Sequence, residues 1–260
     1  MDRLLIVDGT VLVIRPWFGG QSEPWRTALG QLRAHLREAS HLVVVMDITL
    51  ETFRRELAPD YKSNREPAPP DLVEHFDRFR AEAEARDVPV LASPRFEADD
   101  LSATLVRLAG ERGLPVGILS DDKDLFQLVR EAPAVRVEDR FRGKTYDSAA
   151  VYAKLGVRPD QIVDYLSLVG DASDGVKGVP GVGAQTAAAL LSALGSLEHI
   201  YADLDAVAAL PLRGARTLPG KLLAGKDAAM LAQKLVRLRQ DVELPADVLD
   251  RARRPPGRPA

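Results

Sequence analysis

The chain has 260 residues, 46% of them hydrophobic and 28% charged, with a formal net charge of −3, enough for one large domain or a domain with a smaller partner around a real core. It has no cysteine, which excludes disulfides, thiolate zinc sites and cysteine nucleophiles. No apolar run reaches membrane-spanning length and the N-terminus lacks a signal-peptide pattern, so a soluble, cytoplasmic protein is expected.

In chain order, RLLIVDG is an apolar run ending in Asp8 and a glycine turn, the pattern of a buried strand with an acid at its C-terminal end. PWRTALGQLRAHLRE, residues 24–38, has helical periodicity. HLVVVMD is a second buried strand, ending in Asp47, and PPDLVEHFDRFRAEAEARD is a helix opening after prolines. VPVLA is a third strand, followed by a helix that begins at FEADD. LPVGIL is a fourth, running into Asp121, Asp122 and Asp124, and AVRVED a fifth. Strands alternating with helices at this spacing predict an α/β fold, a parallel doubly wound sheet. From about residue 147 the strand signal stops and helical patterns take over: SAAVYAKLG, PDQIVDYLSLVGD, AQTAAALLSALG and AAMLAQKLVRLR. The Pro- and Arg-rich end, RARRPPGRPA, is expected to be disordered. The expected organisation is an α/β core over 1–146, a helical subdomain over 147–245 and a disordered tail over 246–260.

FEADD packs three carboxylates, Glu97, Asp99 and Asp100, into a first helical turn. Acids there meet unpaired N–H groups and the positive end of the helix dipole. That accounts for one or two of them. A third is repelled by roughly 4 kcal/mol per pair at 4 Å and an effective dielectric of 20, unless a cation intervenes. Ligands of open parallel sheets bind beyond the C-terminal strand ends. Asp8, Asp47, the Glu97/Asp99/Asp100 group and the Asp122/Asp124 pair each follow a separate expected strand, so the fold brings them to one edge. Asp171 and Asp174 lie in GDASDGVKG in the helical part. Oxygen-only ligands select hard cations, Mg²⁺ or Mn²⁺, and this many carboxylates exceed the needs of one octahedral ion. Two ions are expected, in the arrangement used for phosphodiester hydrolysis. His35, His41, His75 and His199 lie outside these clusters and read as surface or packing residues. The small net charge does not argue against nucleic acid, because an acidic site and a basic track cancel in the sum.

The ordered set IVDG, FRRELAPDYKSNREPAPPDL, EADD, SDDKDLFQL, GDASDGVKGVPGVGAQTA and RGARTLPGKL resembles the 5′→3′ exonuclease/flap endonuclease family, close to the N-terminal exonuclease domain of bacterial DNA polymerase I, over nearly the whole chain to about residue 245. The resemblance implies a PIN-like α/β sheet flanked by helices, with a C-terminal helix–two-turn–helix element gripping duplex DNA. It implies metal ligands at Asp8, Asp47, Glu97, Asp99, Asp100, Asp122, Asp124, Asp171 and Asp174. The first four would serve one ion, and Asp124, Asp171 and Asp174 the second, with Asp100 and Asp122 near both or acting through water. Lys62 and Arg65 in YKSNR would be catalytic, meeting the scissile phosphate from one face of a helix, at the base of an arch over about 60–95. Arg15, Phe18, Lys177, Gly181, Gly183 and Thr186 would contact DNA, with K⁺ held by backbone carbonyls of the helix–two-turn–helix. Arg213, Arg216 and Lys221 read equally as duplex contacts or as a surface cluster. Departures from the family pattern fall at Ile14 before Arg15, at Gly175 and Lys177, and at Gln185 after the glycines. Implied is a monomeric, divalent-metal-dependent 5′ nuclease of replication and repair, cutting 5′ flaps and 5′ ends of duplex DNA. The rival expectations are a PIN-type ribonuclease and a non-catalytic junction-binding protein.

Overall fold

The runs LLIVD, HLVVVM and VGIL are apolar at successive positions and not at alternate ones, the composition of strands in a sheet covered on both sides. The computed structural model describes residues 2–36 and 39–253. Its elements begin with β1 (Leu4–Asp8), α1 (Gly9–Phe18), α2 (Pro24–His35), β2 (His41–Met46), α3 (Phe53–Leu57), α4 (Pro70–Glu84), β3 (Val90–Ala92), α5 (Ala98–Glu111) and β4 (Val116–Leu119). Then follow β5 (Arg130–Glu131), β6 (Ala134–Asp139), β7 (Lys144–Tyr146), α6 (Ser148–Leu155) and α7 (Ile162–Val169). The remainder holds β8 (Gly170–Asp171), β9 (Val176–Lys177), α8 (Ala184–Leu194), α9 (Leu197–Ala202), α10 (Leu204–Ala209), α11 (Leu218–Ala224), α12 (Lys226–Val236) and α13 (Val248–Arg251).

The main sheet runs β3-β2-β1-β4-β6-β5. The pairs from β3 through β6 are parallel; β5 and β7 join β6 antiparallel. The sheet is therefore mostly parallel, where a wholly parallel one was expected, because β5, β6 and β7 are linked by short turns and not by crossover helices. Alternate strand residues supply two cores. Leu4, Ile6, Val43, Val45, Val116 and Ile118 face α5 and continue into the helical C-terminal half as one apolar cluster. Leu5, Val7, Leu42, Val44 and Met46 face α1, α2 and α4. Both β2 and β4 lie beside β1, so the strand order reverses at β1/β4 and opens a crevice at the C-terminal strand ends. No helix among the described residues is long and apolar enough to cross a membrane.

The details differ from the sequence reading at several points. Gly9 reads as a turn glycine but opens α1, capped by Asp8, which accepts from the Val11 N–H. A Cβ there would lie 2.7 Å from Val44 Cγ1, so glycine serves the packing of α1 on β2. The YKSNR segment is a series of turns and not a helix; Lys62 itself has φ 51°. The span expected for the arch, about 60–95, holds turns and loop to residue 69 and then the helix and third strand expected there. From Pro70 the chain forms α4, whose Leu72, Phe79 and Ala83 lie on one helical face in the second core, and β3 then joins the sheet. Beyond 147, β8 and β9 form a short antiparallel pair that the apolar pattern does not announce. The tail expected to be disordered over 246–260 is ordered as far as 253: Val248, Leu249 and Ala252 are buried in the first core, and Arg253 bridges His41 at the start of β2. Residues 254–260 lie outside the described residues.

Candidate metal centre

The crevice at the strand switch is where the acids meet. Asp8 ends β1, and its second oxygen accepts from Ser120 Oγ, just beyond β4, at 3.1 Å. Asp47 follows β2; its own N–H is held by Thr10 Oγ1 (2.9 Å) and its carboxylate accepts from the Ala98 N–H (2.9 Å) at the N-terminus of α5. That bond ties the end of β2 to the turn carrying Glu97 and Asp99. Past β4, the Asp122 N–H reaches Ser120 Oγ and the Asp122 carboxylate accepts from the Asp124 N–H at 2.8 Å. The β8–β9 turn brings Asp171 and Asp174 across from the helical half. Carboxylate oxygens of Asp124, Asp171 and Asp174 lie within 4.8 Å of one another, the one such group among the described residues.

Lys62, Arg65 and Lys123 reach into this cleft. Lys62 Nζ lies 2.9 Å from Glu97 Oε2 and 3.6 Å from Asp174 Oδ2. Arg65 pairs with Asp174. Lys123 donates to Asp171 at 2.7 Å. The Tyr61 hydroxyl stands between Glu97 and Asp174, 3.2 and 3.1 Å away. The turns of 58–65, where a helix presenting both to the scissile phosphate was expected, aim Lys62 and Arg65 at Glu97 and Asp174, and the Lys62 N–H bonds to the Asp174 carbonyl.

Negative charge here is uncomfortable despite those cations. Burial, then the neighbouring Asp47, pushes Asp8 up to about 7, against N–H and hydroxyl donors that lower it. Burial and Asp122 push Asp124 to about 8. Asp99 is raised well above the usual range by burial and by Asp122, Asp47 and Asp8 around it. Burial also raises Asp47 and Asp122, although both open to solvent at the mouth of the cleft. Asp171 goes the other way: burial would raise it, but donation from Lys123 and Ser173 outweighs that and lowers it. Asp124 Oδ1 is buried with no hydrogen-bond partner. A ring of oxygens with an orphaned acceptor and several carboxylates held toward protonation fits a hard divalent cation.

Asp100 is not part of this ring. It is fully buried and held by both arms of the Arg54 fork, at 2.6 and 2.8 Å, while also accepting from the Glu97 and Arg239 N–H groups. Its oxygens are engaged by these donors, so direct ligation, one of its two expected roles, is not what this geometry offers. Successive helical residues point about 100° apart, so Asp99 and Asp100 leave α5 in different directions. Arg54 escaped the sequence reading because in FRREL it resembles a surface charge. Only 1% of it is exposed, its Nε donates to the Leu235 carbonyl at 2.7 Å, and its NH1 lies 3.6 Å from Glu97. Burial would lower its pKa; the bond to Asp100 and the nearby acids raise it instead. Tyr61 and Lys123 were also missed; Lys123 sits between two assigned aspartates, which was the available signal.

The other expected contacts fall in two places. Arg15 and Phe18 are on α1: Arg15 pairs with Asp121 and lies 4.1 Å from the Phe141 ring centroid, and Phe18 is 81% exposed. The extra acid Asp121 is thus a partner for Arg15, outside the ring. Lys177, Gly181, Gly183 and Thr186 line the approach to α8. Gly183 is its N-cap with open space where a side chain would project, and Gly181 has φ 78°. Lys221 Nζ lies 3.4 Å from the Gly181 carbonyl, and Arg213 and Arg216 are exposed on the same half of the chain.

Two family models match in succession: the 5′-3′ exonuclease N-terminal resolvase-like domain over residues 3–156, and the 5′-3′ exonuclease C-terminal SAM fold over residues 157–258. The chain is 36% identical over 250 residues to a flap endonuclease Xni of Serratia proteamaculans, covering 94% of this chain and 95% of that protein. It is 40% identical over 210 residues to DNA polymerase I of Pseudomonas aeruginosa, covering 80% of this chain and 23% of the polymerase. It thus spans between a fifth and a third of the polymerases it matches. Among solved structures, T5 5′-exonuclease with bound zinc superposes with a TM-score of 0.74 at 25% identity, covering 90% of this chain and 89% of that one. The catalytic core of Rad2 with DNA substrate shares the fold at a TM-score of 0.61 and 16% identity, covering 92% and 81%.

Proposed function

The chain belongs to the 5′-3′ exonuclease family, and on that premise we propose that it is a structure-specific 5′ nuclease, cutting 5′ flaps and trimming 5′ ends of duplex DNA. The observation that carries this reading is the convergence of Asp8, Asp47, Glu97, Asp99, Asp122, Asp124, Asp171 and Asp174, from both halves of the chain, in one cleft flanked by Lys62 and Arg65. Asp8, Asp47, Glu97 and Asp99 hold one divalent cation, Mg²⁺ or Mn²⁺. Asp124, Asp171 and Asp174 hold a second, with Asp122 between the groups. Such ions supply an activated water nucleophile and neutralise charge on the phosphate.

The chain's own groups do the rest. Lys62 and Arg65 neutralise Glu97 and Asp174 when no phosphate is present, and turn to the scissile phosphate when one arrives, stabilising the charge that builds on its oxygens. Tyr61, buried and donating within the acidic ring, keeps Glu97 and Asp174 oriented. The α8 N-terminus offers unobstructed N–H groups to duplex phosphates, beside Lys177 and Lys221. A K⁺ ion on backbone carbonyls of the turns before α8 belongs to this reading, as do Arg15 and Phe18 as contacts near the cleft. A helix start reads phosphates and not bases, so recognition follows DNA shape and weakens with salt. The protein acts as a monomer in the cytoplasm, in replication and repair.

The test is incubation of the purified protein with a 5′-labelled flap DNA and with single-stranded RNA, in Mg²⁺ and in EDTA. Metal-dependent release of the flap is expected. Cleavage of the RNA alone would make it a ribonuclease, and binding without cleavage in either metal condition would make it a junction-binding protein.

A further inference from the structure

Beside the acidic cleft, on its C-terminal side, runs a groove of about 820 Å³ between α3, the 95–96 turn and the end of α12. Its floor is Phe53 and Phe96, whose rings tilt against each other at 5.6 Å. Its rim is basic: Arg95, Lys234, Arg237 and Arg239, against the single acid Glu56. Arg95 is paired with Glu56 and Arg239 with Asp241. Among the described residues Lys234 and Arg237 make no ion pair, and both are exposed. A surplus of uncompensated positive charge stands out on a chain whose net charge is −3.

The groove is mechanically joined to the cleft. Phe96 in its floor precedes Glu97, one Cα step of about 3.8 Å away. The backbone that carries the cations is pinned on either side of Arg237: Leu235 accepts from Arg54, and the Arg239 N–H donates to Asp100. The Arg54–Asp100 fork therefore holds Lys234 and Arg237 in fixed register with the carboxylates of the cleft. Phe53 is 8% exposed and Leu57 on the rim is 47% exposed, so the groove presents apolar as well as charged surface, and its excess of positive charge is what selects a polyanion.

We infer that this groove binds a stretch of DNA phosphate backbone, independent of base sequence, so that a strand lying in it is registered to the acidic cleft. The inference rests on the nuclease reading for the identity of the polyanion, and adds a second contact region, separate from the α8 N-terminus. An acidic protein segment would carry the same charge, but the groove's link to the cleft, through Phe96 and the Arg54–Asp100 fork, favours the polyanion that the cleft itself takes.

The experiment is fluorescence anisotropy of the full chain with a labelled 5′-flap DNA in EDTA, across a KCl series. Removing one cation from a phosphate lowers the slope of log K against log salt by about 0.7–0.9. The Lys234→Ala/Arg237→Ala variant is expected to raise Kd about tenfold and lower that slope by between about 1 and 2. Lys234→Arg/Arg237→Lys keeps both near wild type, and Arg33→Ala on α2 serves as a remote charge-loss control. Unchanged Kd and slope in the double-alanine variant would overturn the inference. So would loss of poly-glutamate binding with DNA binding intact, which would give the groove to an acidic protein segment. Failure of the nuclease reading is separately visible, as wild-type protein that does not cut the same DNA in Mg²⁺.

Discussion

At the scale of single residues, Asp171 and Lys62 separate the two tasks of the cleft. Asp171 belongs to the tight carboxylate trio and its negative form is stabilised by Lys123 and Ser173. Asp171→Ala is expected to abolish flap cleavage while DNA affinity stays within several-fold, read by turnover and by anisotropy; near-normal turnover would remove Asp171 from the site. Lys62→Ala should lower kcat by about 10²- to 10³-fold, the range for loss of one transition-state donor, with a much smaller change in affinity. A change in affinity alone would leave Lys62 only holding the backbone. How legible these residues were differed by kind. Asp8 and Asp47 were legible because each directly follows an apolar run. The pairing of Asp100 could not be read, because sequence does not reveal that a buried arginine from α3 waits beside α5.

At the scale of elements, the Arg54–Asp100 pair joins α3, α5 and the end of α12. Arg54→Met leaves Asp100 charged, buried and unpaired, at a cost of about 3–5 kcal/mol. At about 2–4 °C per kcal/mol for a chain of this size class, the melting temperature should fall by about 10 °C. Replacing both partners, Arg54→Met with Asp100→Leu, should recover much of that loss; a double variant as unstable as the single would mean that packing, and not the unpaired charge, sets the cost. The N-terminus of α8 makes the converse case. Gly183→Asp supplies a better N-cap and should leave stability unchanged or raised by a few tenths of a kcal/mol. It also places a carboxylate where phosphate oxygens would approach, so flap-DNA affinity should drop about tenfold. Unaltered affinity would take the α8 N-terminus out of the interface.

At the scale of the whole molecule, the acidic cleft links folding to pH and to cations. Asp8 and Asp124 titrate above an ordinary aspartate, near 7 and 8, so between about pH 4 and 8 the folded state binds more protons than the unfolded one. Stability without metal is therefore greatest toward the acidic end of that window and is lost as pH rises through the folded-state values. Melting in EDTA should show a decline from pH 5 to 8. Mg²⁺ should reverse it, raising the melting temperature by several degrees at pH 8 and by much less at pH 5. A Mg²⁺ effect that is flat with pH would show that the raised carboxylates are not where the ion binds.

On its own, the sequence determined β1 to β4 and β6, the acids that follow them and the helical second half, because periodicity and turn residues act over a few positions. It also carried the family resemblance, because motifs keep their order along the chain. The tertiary structure decided which charges meet. Arg54 reaches Asp100 across 46 positions and the Leu235 carbonyl across 181, and Arg253 bridges His41 at the start of β2. Whether a charge is a ligand, a buried partner or a solvated surface group depends on what lies opposite it in space, and periodicity over a single turn or strand contains no record of that neighbour.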